Sequence, residues 1–558
     1  MKSLLVKVAL LVLLIIPSFY TLIKPGFFPM QDDLQAFRVQ QMYECFKDLQ
    51  IPCRWVPDPG YQYGYPLFNY YPPSVYYLGG LLHLIGFQII DAVKILFALG
   101  YILSALTMFV FLRSLYKDKI AFIGALLYTY VPYKATEVYV RGAMSEFWAL
   151  VIFPLLFWSS YQFIKTQKLK YFIWLAVSTS LLLTTHNLMS LIFFPILGIW
   201  CLVHIYLEKR WTVLIKILGA GLLGFGLAAF FSLPVIFEGK YVHLESLLGG
   251  YFDYRQHFVD LDQLFISNHW GYGSSYLGPN DDLNLSAGQI QVFLAVLGLV
   301  LSYLNYKKHK SLSLIYLVVF SVEMLVLFIM HQKSSFIWSF IPILSWLQFP
   351  WRFLADSIFL LSFLAATALY FLDSINKKVA IILGVSTVIG CLILYKGFYE
   401  PREWYQITDK DKFSGQLWEK QLTISIFDYL PVYSILPPVT KAPDLPEVLE
   451  GETQFISYKK GSNYQIGELN VKSETLLRLP LFDFPGMEVT VDGKKITHWH
   501  DDCRGQQFCL GLITFKVPVG NHTIKARLTN TPIRNIGNGL TILSLLIMGG
   551  LFLKQFKK

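Results

Sequence analysis

Charge is what this chain has least of. Only 15% of its 558 residues are Asp, Glu, Lys or Arg, while 54% are hydrophobic. An ordinary soluble domain carries about 25% charged residues, so a water-soluble globular class is excluded. Internal repeats and low-complexity tracts are absent, which removes repeat arrays and disordered linkers from consideration. The first apolar run has a basic start (Lys2, Lys7) but no small-x-small cleavage site before Lys24-Pro25-Gly26. That favours an uncleaved anchor over a signal peptide. The net charge of +10 could point to nucleic acid. The basic residues lie in short loops between apolar runs, however, so they read as orientation signals and nucleic acid is not an expected partner.

Apolar runs of about 20 residues, each long enough to cross ~30 Å of hydrocarbon, recur along the chain. They fall near 4–23, 92–112, 119–137, 146–164, 171–187, 188–207, 212–235, 289–306, 311–331, 352–373, 379–398 and 535–553. This predicts an α-helical polytopic membrane protein with about twelve transmembrane helices. Aromatic residues make up 16% of the chain and suit the interfacial belts of such a protein. Inner loops are marked by Arg113, Lys117 and Lys119; Lys165, Lys168 and Lys170; Lys209 and Arg210; Lys307, Lys308 and Lys310; Lys377 and Lys378; and Lys554, Lys557 and Lys558. Their alternation holds only if 72–87, with two prolines and a Gly pair, is a short interfacial helix and not a span. Both termini are then cytoplasmic. Loops 24–91, 138–145 and 236–288, the turn Thr185-His186-Asn187, the stretch 332–351 and the segment 399–534 face outwards.

Cysteine is sparse, six residues in all. Cys45 and Cys53 share the first outer loop and Cys503 and Cys509 the last outer segment, as expected of disulfides in an oxidising compartment. Free thiols, or a metal site built from both pairs, are the alternatives. Cys201 and Cys391 lie in apolar runs. Residues 1–398 are expected to form the membrane body and 535–558 a last helix with a basic tail. Between them, 399–534 is an extracytoplasmic β-rich module. Its runs Glu488–Val491, Leu512–Val517 and His522–Leu528 alternate, and Asp492-Gly493, 501–505 and Val519-Gly520-Asn521 separate them. That spacing predicts antiparallel strands in a small sandwich.

The outer loops hold the chemistry-bearing residues. Asp32 and Asp33 are adjacent carboxylates at a membrane surface, where mutual repulsion raises one pKa and suits a general base or a metal site. The alternative is capping of a helix over 34–49. Gln35 and Arg38 follow. Arg54-Trp55 and the Tyr/Pro-rich stretch with Tyr65, Asn69 and Tyr71 offer faces for a sugar or an isoprenoid, or simply a membrane-belt loop. Glu146 sits at the lip of a span beside Arg141, as an ion pair or as part of a phosphate site. His186 and His269 stand in outer turns. Arg352, in Phe349-Pro350-Trp351-Arg352, can grip a diphosphate or snorkel to a headgroup. Glu323 and Asp356 are acids inside spans.

The order of these parts resembles the GT-C superfamily of multi-span glycosyltransferases that use polyprenyl-phosphate sugars on the outer face. More narrowly, Arg54-Trp55, Gly64-Tyr65-Pro66, Tyr70-Tyr71-Pro72-Pro73, Arg141-Gly142-Ala143 with Glu146, and Phe349–Arg352 are similar to bacterial membrane proteins labelled "6-pyruvoyl-tetrahydropterin synthase-related". They are similar also to proteins implicated in decorating lipoteichoic acid with sugar. Phe484-Pro485-Gly486, Val491-Asp492-Gly493 and Val517–Thr523 look like that group's outer β-domain. The resemblance implies a catalytic base at Asp32 or Asp33 and a second acidic position at Glu146. It implies donor-phosphate contacts by Arg352, with Arg141 and Arg54 as further cations. Gln35, Arg38, Tyr65, Asn69, Tyr71, His186 and His269 are the expected substrate contacts. A divalent cation, Mg or Mn, on Asp32, Asp33 and Glu146 is a possible cofactor, although Gln31 and Gln35 stand where related sequences often have His. No residue calls for pterin chemistry. The expected reaction is inverting transfer from a polyprenyl-phosphate donor to an extracytoplasmic glycan, lipid or protein. The rivals are a lipid or polysaccharide flippase, which would place its ionisable groups near the midplane, and a glycan-binding scaffold.

Overall fold

The computed structural model describes residues 2–278 and 281–556; Lys557 and Lys558 of the basic tail, and 279–280 of the third outer loop, lie outside the described residues. Among the described residues, seven helices are long and apolar enough to cross a membrane: Ile89–Arg113, Met144–Thr166, Asn187–Glu208, Lys310–Met330, Pro350–Ile375, Lys377–Leu394 and Pro532–Gln555. The pair Thr212–Leu227 and Ala229–Tyr241, bent by 79° at its break, makes eight if taken as one interrupted span. The expectation of twelve is therefore not met by helix length. The four remaining apolar runs form helices of 17 residues or fewer: Lys2–Ile15, Asp118–Thr129, Leu169–Thr185 and Gln289–Leu304. Asp118–Thr129 stops early because Pro132 holds Val131 in extended backbone (φ −90°, ψ 141°) and cannot continue the hydrogen-bond ladder. The chain then makes a short π-helical turn, Thr136–Arg141. Ser74–Leu84 has 11 residues, too few to span.

Near the C-terminus six strands form one antiparallel sheet. They are β1 (Glu447–Lys460), β2 (Tyr464–Phe482), β3 (Met487–Val491), β4 (Lys494–Ile496), β5 (Leu512–Val517) and β6 (Gly520–Leu528). The order is β1-β2-β6-β3-β4, with β5 also paired to β2. The expected two-sheet sandwich is thus corrected to a single sheet. The reason is β2, whose 19 residues take β6 along 464–471 and β5 along 475–482. No second sheet is needed to cover the apolar face, because Trp55, Tyr63 and Tyr70 of the first outer loop join its core beside Leu477, Phe482 and Phe515. Asp492 and Gly493, both at positive φ (50° and 75°), close the β3–β4 hairpin, as a tight turn of this hand requires.

The first outer loop is therefore clamped between sheet and membrane body. Phe482 N–H donates to Tyr63 C=O at 3.1 Å, and Tyr61 N–H to Leu422 C=O at 3.3 Å. Cys45 is bonded to Cys53 at the end of helix Gln35–Lys47, and Cys503 to Cys509 beside β5. Cys201 and Cys391 are free and buried.

Candidate functional site

Two backbone bonds join the first and second outer loops. Gln31 N–H donates to Val140 C=O and Asp32 N–H to Arg141 C=O, both at 2.9 Å. The acidic pair is thereby set against the end of the turn Thr136–Arg141. Gly142 follows at φ +66°, and a Cβ built there would stand 2.3 Å from Met30 Sδ. Only glycine meets both demands. Gly142→Ala is expected to cost ~1–3 kcal/mol by overpacking and strain, pushing the Met30–Asp32 segment off its seat. Thermal unfolding of the purified variant checks this.

The two acids have different partners. Asp32 Oδ2 accepts from Arg38 Nη1 at 2.7 Å and from Gln35 Nε2 at 2.8 Å. Tyr76 fixes Gln35 by donating to its Oε1 at 2.7 Å, and Arg38 lies 4.2 Å over the Tyr71 ring. Both bonds fall on one oxygen, and the Asp32 side chain stays 35% exposed. Asp33 instead binds Lys412 through both carboxylate oxygens at 2.8 Å. Burial raises the Asp33 pKa, with the Lys412 ammonium opposing the shift. The capping alternative is not realised: the N-cap of Gln35–Lys47 is Leu34, and no side chain caps it.

Glu146 begins the helix Met144–Thr166 and is buried. Its Oε2 lies 3.0 Å from Arg141 Nη1 and 3.5 Å from Arg352 Nε, and Tyr133 donates to its Oε1 at 2.8 Å. Arg141 also pairs with Glu137 and stacks 4.4 Å over Trp351. Arg352 Nη1 donates to Leu347 C=O at 2.6 Å and Gln348 Oε1 at 3.0 Å, while its Nε is buried without a hydrogen-bond partner. Its nearest acceptor is Glu146 Oε2 at 3.5 Å, so charge and not a hydrogen bond holds Arg352 to Glu146. Gln348, at φ +64°, holds the strained corner before Arg352. His186 lies in electrostatic reach of Glu146, Arg352 and Arg141, and its Nδ1 caps the next helix by accepting from Met189 N–H at 3.1 Å.

Asp32, Gln35, Arg38 and Tyr71 thus gather beside Arg141, Glu146, Arg352 and His186. Tyr65 borders them: its hydroxyl accepts from Tyr429 N–H at 2.6 Å, next to Asp428. Arg54 and Asn69 lie elsewhere. Arg54 donates to Asn69 Oδ1 at 3.2 Å and Asn538 Oδ1 at 2.9 Å, in a network with Glu238 and Arg534. His269 pairs with Asp282 at 2.9 Å on the exposed third outer loop, whose link to the acidic loop is Gln31 Nε2 donating to Gly273 C=O at 2.7 Å. Glu323 and Asp356 are buried among the helices, where Ser357 donates to Glu323 Oε1.

Lys412, Asp428, Tyr133, Glu137 and Trp351 are site residues that sequence reasoning left unassigned. Trp351 and Glu137 stood inside segments already singled out, but Lys412 and Asp428 lie in the polar stretch after residue 398, with no local pattern to mark them. Burial pushes Asp428 up to about 6, with the Arg38 guanidinium opposing and Asp32 adding to the rise. The neutral acid is the form the fold favours. Its stabilising share is full below the ordinary value of 3.8 and is lost as pH rises through about 6. Asp428→Asn should therefore lack one component of the decline in melting temperature seen in the native protein between pH 4 and 7.

The residues do not fit a metal centre. Among the described residues no three His, Cys, Asp or Glu side chains converge as ligands. Asp32, Asp33 and Glu146 each face a cation of the protein itself, so the expected Mg or Mn has no prepared seat.

Residues 68–260 match the family model described as "6-pyruvoyl-tetrahydropterin synthase related domain; membrane protein". The match covers Tyr70-Tyr71-Pro72-Pro73, the Arg141–Glu146 loop and the His186 turn, and agrees with the resemblance read from the residues. An uncharacterized protein of Lactococcus lactis subsp. cremoris (strain MG1363) is 24% identical over 314 residues, 54% of this chain and 49% of that one. The chain thus spans about half the length of that relative. Among solved structures, the Archaeoglobus fulgidus oligosaccharyltransferase in complex with Zn and sulfate aligns with a TM-score of 0.41 and 12% identity, over 72% of this chain and 53% of that chain. Its apo form aligns with a TM-score of 0.42 and 12% identity, over 80% and 62%.

Proposed function

We propose that the protein is a cell-membrane glycosyltransferase that transfers a sugar from a polyprenyl-phosphate donor to an extracytoplasmic acceptor, with inversion. The observation that carries this reading is the placement of Asp32. It is a half-exposed carboxylate engaged through one oxygen, and it is backbone-bonded to Arg141 of a buried Arg141–Glu146–Arg352 cluster at the rim of two spanning helices. A long isoprenoid dissolves in the bilayer, and its head reaches this rim.

In the proposed step Asp32 takes the proton of an acceptor hydroxyl. The freed oxygen electrons form the new bond to the anomeric carbon. The bond from that carbon to the donor phosphate oxygen breaks, and its electron pair leaves with the phosphate. The guanidiniums of Arg352 and Arg141 meet the developing charge. Glu146 and Tyr133 hold those guanidiniums in place. Asp33, locked by Lys412, anchors the loop and does not touch the proton. The basic inner loops favour cytoplasmic termini and an outward-facing site.

The test is transfer of radiolabelled sugar from polyprenyl-phosphate donors by the purified protein, beside Asp32→Asn. Transfer by the native protein alone supports the reading. Wild-type transfer by Asp32→Asn would remove Asp32 as the base, and no transfer by either protein would favour a flippase or a glycan-binding scaffold.

A further inference from the structure

Beside the end of β2 lies a cleft of about 380 Å³, within the ~300–1,000 Å³ of small-molecule sites. One wall is the proline strap, with Pro437, Pro438 and Pro443; the other is the loop closed by the Cys503–Cys509 bond. Both walls are built rather than loose. Ala442 N–H donates to Tyr61 C=O at 3.0 Å and Lys460 Nζ to Pro443 C=O at 2.6 Å. Gln506 N–H donates to Cys503 C=O at 3.1 Å, and Gln506 Oε1 accepts from Leu510 N–H at 2.9 Å.

The lining combines one exposed aromatic ring with polar groups. Phe508, 40% exposed, borders the cleft, and the buried Tyr63 backs it. Gln506 Nε2 is buried there without a hydrogen-bond partner. A buried amide donor with nothing to donate to is costly unless a ligand or water completes it. At the floor, Arg478 donates to Glu447 Oε2 through Nε at 3.1 Å and Nη2 at 2.6 Å, and through Nη1 to Asp502 C=O at 3.1 Å. The guanidinium is thus neutralised, which disfavours a phosphate or a nucleic acid. Polar groups at this density disfavour a lipid tail. The Phe508 ring for C–H surfaces, with amide and carboxylate groups for hydroxyls, fits a neutral saccharide.

We infer that this cleft binds a neutral glycan. It goes beyond the transfer reaction and stands without it, since binding is read directly. Tyr63 belongs to the loop that also carries Asp32, and Phe482 N–H ties that loop to β2 at Tyr63 C=O. A glycan held here is fixed to the same scaffold as the reacting groups.

Saturation-transfer NMR on the full-length protein in lipid nanodiscs tests the inference, with maltose, lactose, cellobiose and mannobiose as probes. At least one probe should give a signal. Phe508→Ala, a change at an exposed ring, and Gln506→Leu should each lower it about tenfold, as removal of a central anchor does. Asp32→Asn should leave it in place, which separates the cleft from the transfer site. No signal from any probe, a signal that survives both cleft variants, or one that disappears in Asp32→Asn would overturn the inference.

Discussion

Replacing Asp32 by Asn is expected to lower sugar transfer by ~10²–10⁴-fold, the usual worth of a general base. The loss should fall on kcat, with KM for the donor nearly unchanged. Asn has the shape of Asp and keeps one carbonyl oxygen for Arg38 and Gln35, which now meet at Asp32 Oδ2. What it cannot do is accept a proton. Asp33→Asn is the informative contrast. It removes the carboxylate that binds Lys412, whose side chain is 4% exposed, and leaves a buried ammonium facing a neutral amide. Lost stability and a loosened loop are expected there, with the surviving folded fraction still turning over. Radiolabelled transfer, measured beside melting temperature for each variant, separates the two. Asp33→Asn dead yet fully stable, with Asp32→Asn active, would reverse the assignment.

That contrast shows where the sequence is legible. The adjacency of the two acids and their place just past the first apolar run are local facts, so both were visible as candidates. Which of them is held by Lys412 depends on a contact across 379 positions, and no local pattern encodes it. The same holds for Asp428 beside Arg38. Hydrophobic length located the apolar helices, because burial in a bilayer demands runs of a fixed size. It overcounted spans where a proline, as at Pro132, ended the helix inside an apolar run. Strands β3, β5 and β6 were legible from alternation and turn residues. The long β1–β2 hairpin was not, because β1 is mostly exposed and polar. The sandwich expectation failed for a related reason: the apolar face of the sheet is covered by Trp55, Tyr63 and Tyr70, which read in sequence as a face for a sugar or an isoprenoid, or as a membrane-belt loop.

Glu238→Gln is expected to be among the most destabilising single changes outside the site, at ~3–5 kcal/mol. Glu238 ends the bent helix pair and is buried with Arg534, which donates to its Oε2 at 2.9 Å from a side chain with no exposure. Thr531 donates to the other carboxylate oxygen, Asn69 donates to Oε2 at 3.2 Å, and Tyr70 donates to the Glu238 C=O at 2.7 Å. One carboxylate thus fastens the first outer loop, the bent pair and the last helix. It also stands against two guanidiniums, since Arg54 shares the network. Burial and the nearby Arg534 charge already pull Arg54 down to about 10. Neutralising Glu238 leaves both cations buried without an anion, which costs far more than the lost bond. The melting temperature in nanodiscs should drop sharply, and transfer should fall with the folded fraction. Glu238→Gln/Arg534→Met should recover part of the loss, because removing both charges spares the uncompensated one. A double variant no more stable than Glu238→Gln would show that the hydrogen bonds of Asn69 and Thr531, and not the ion pair, hold this junction.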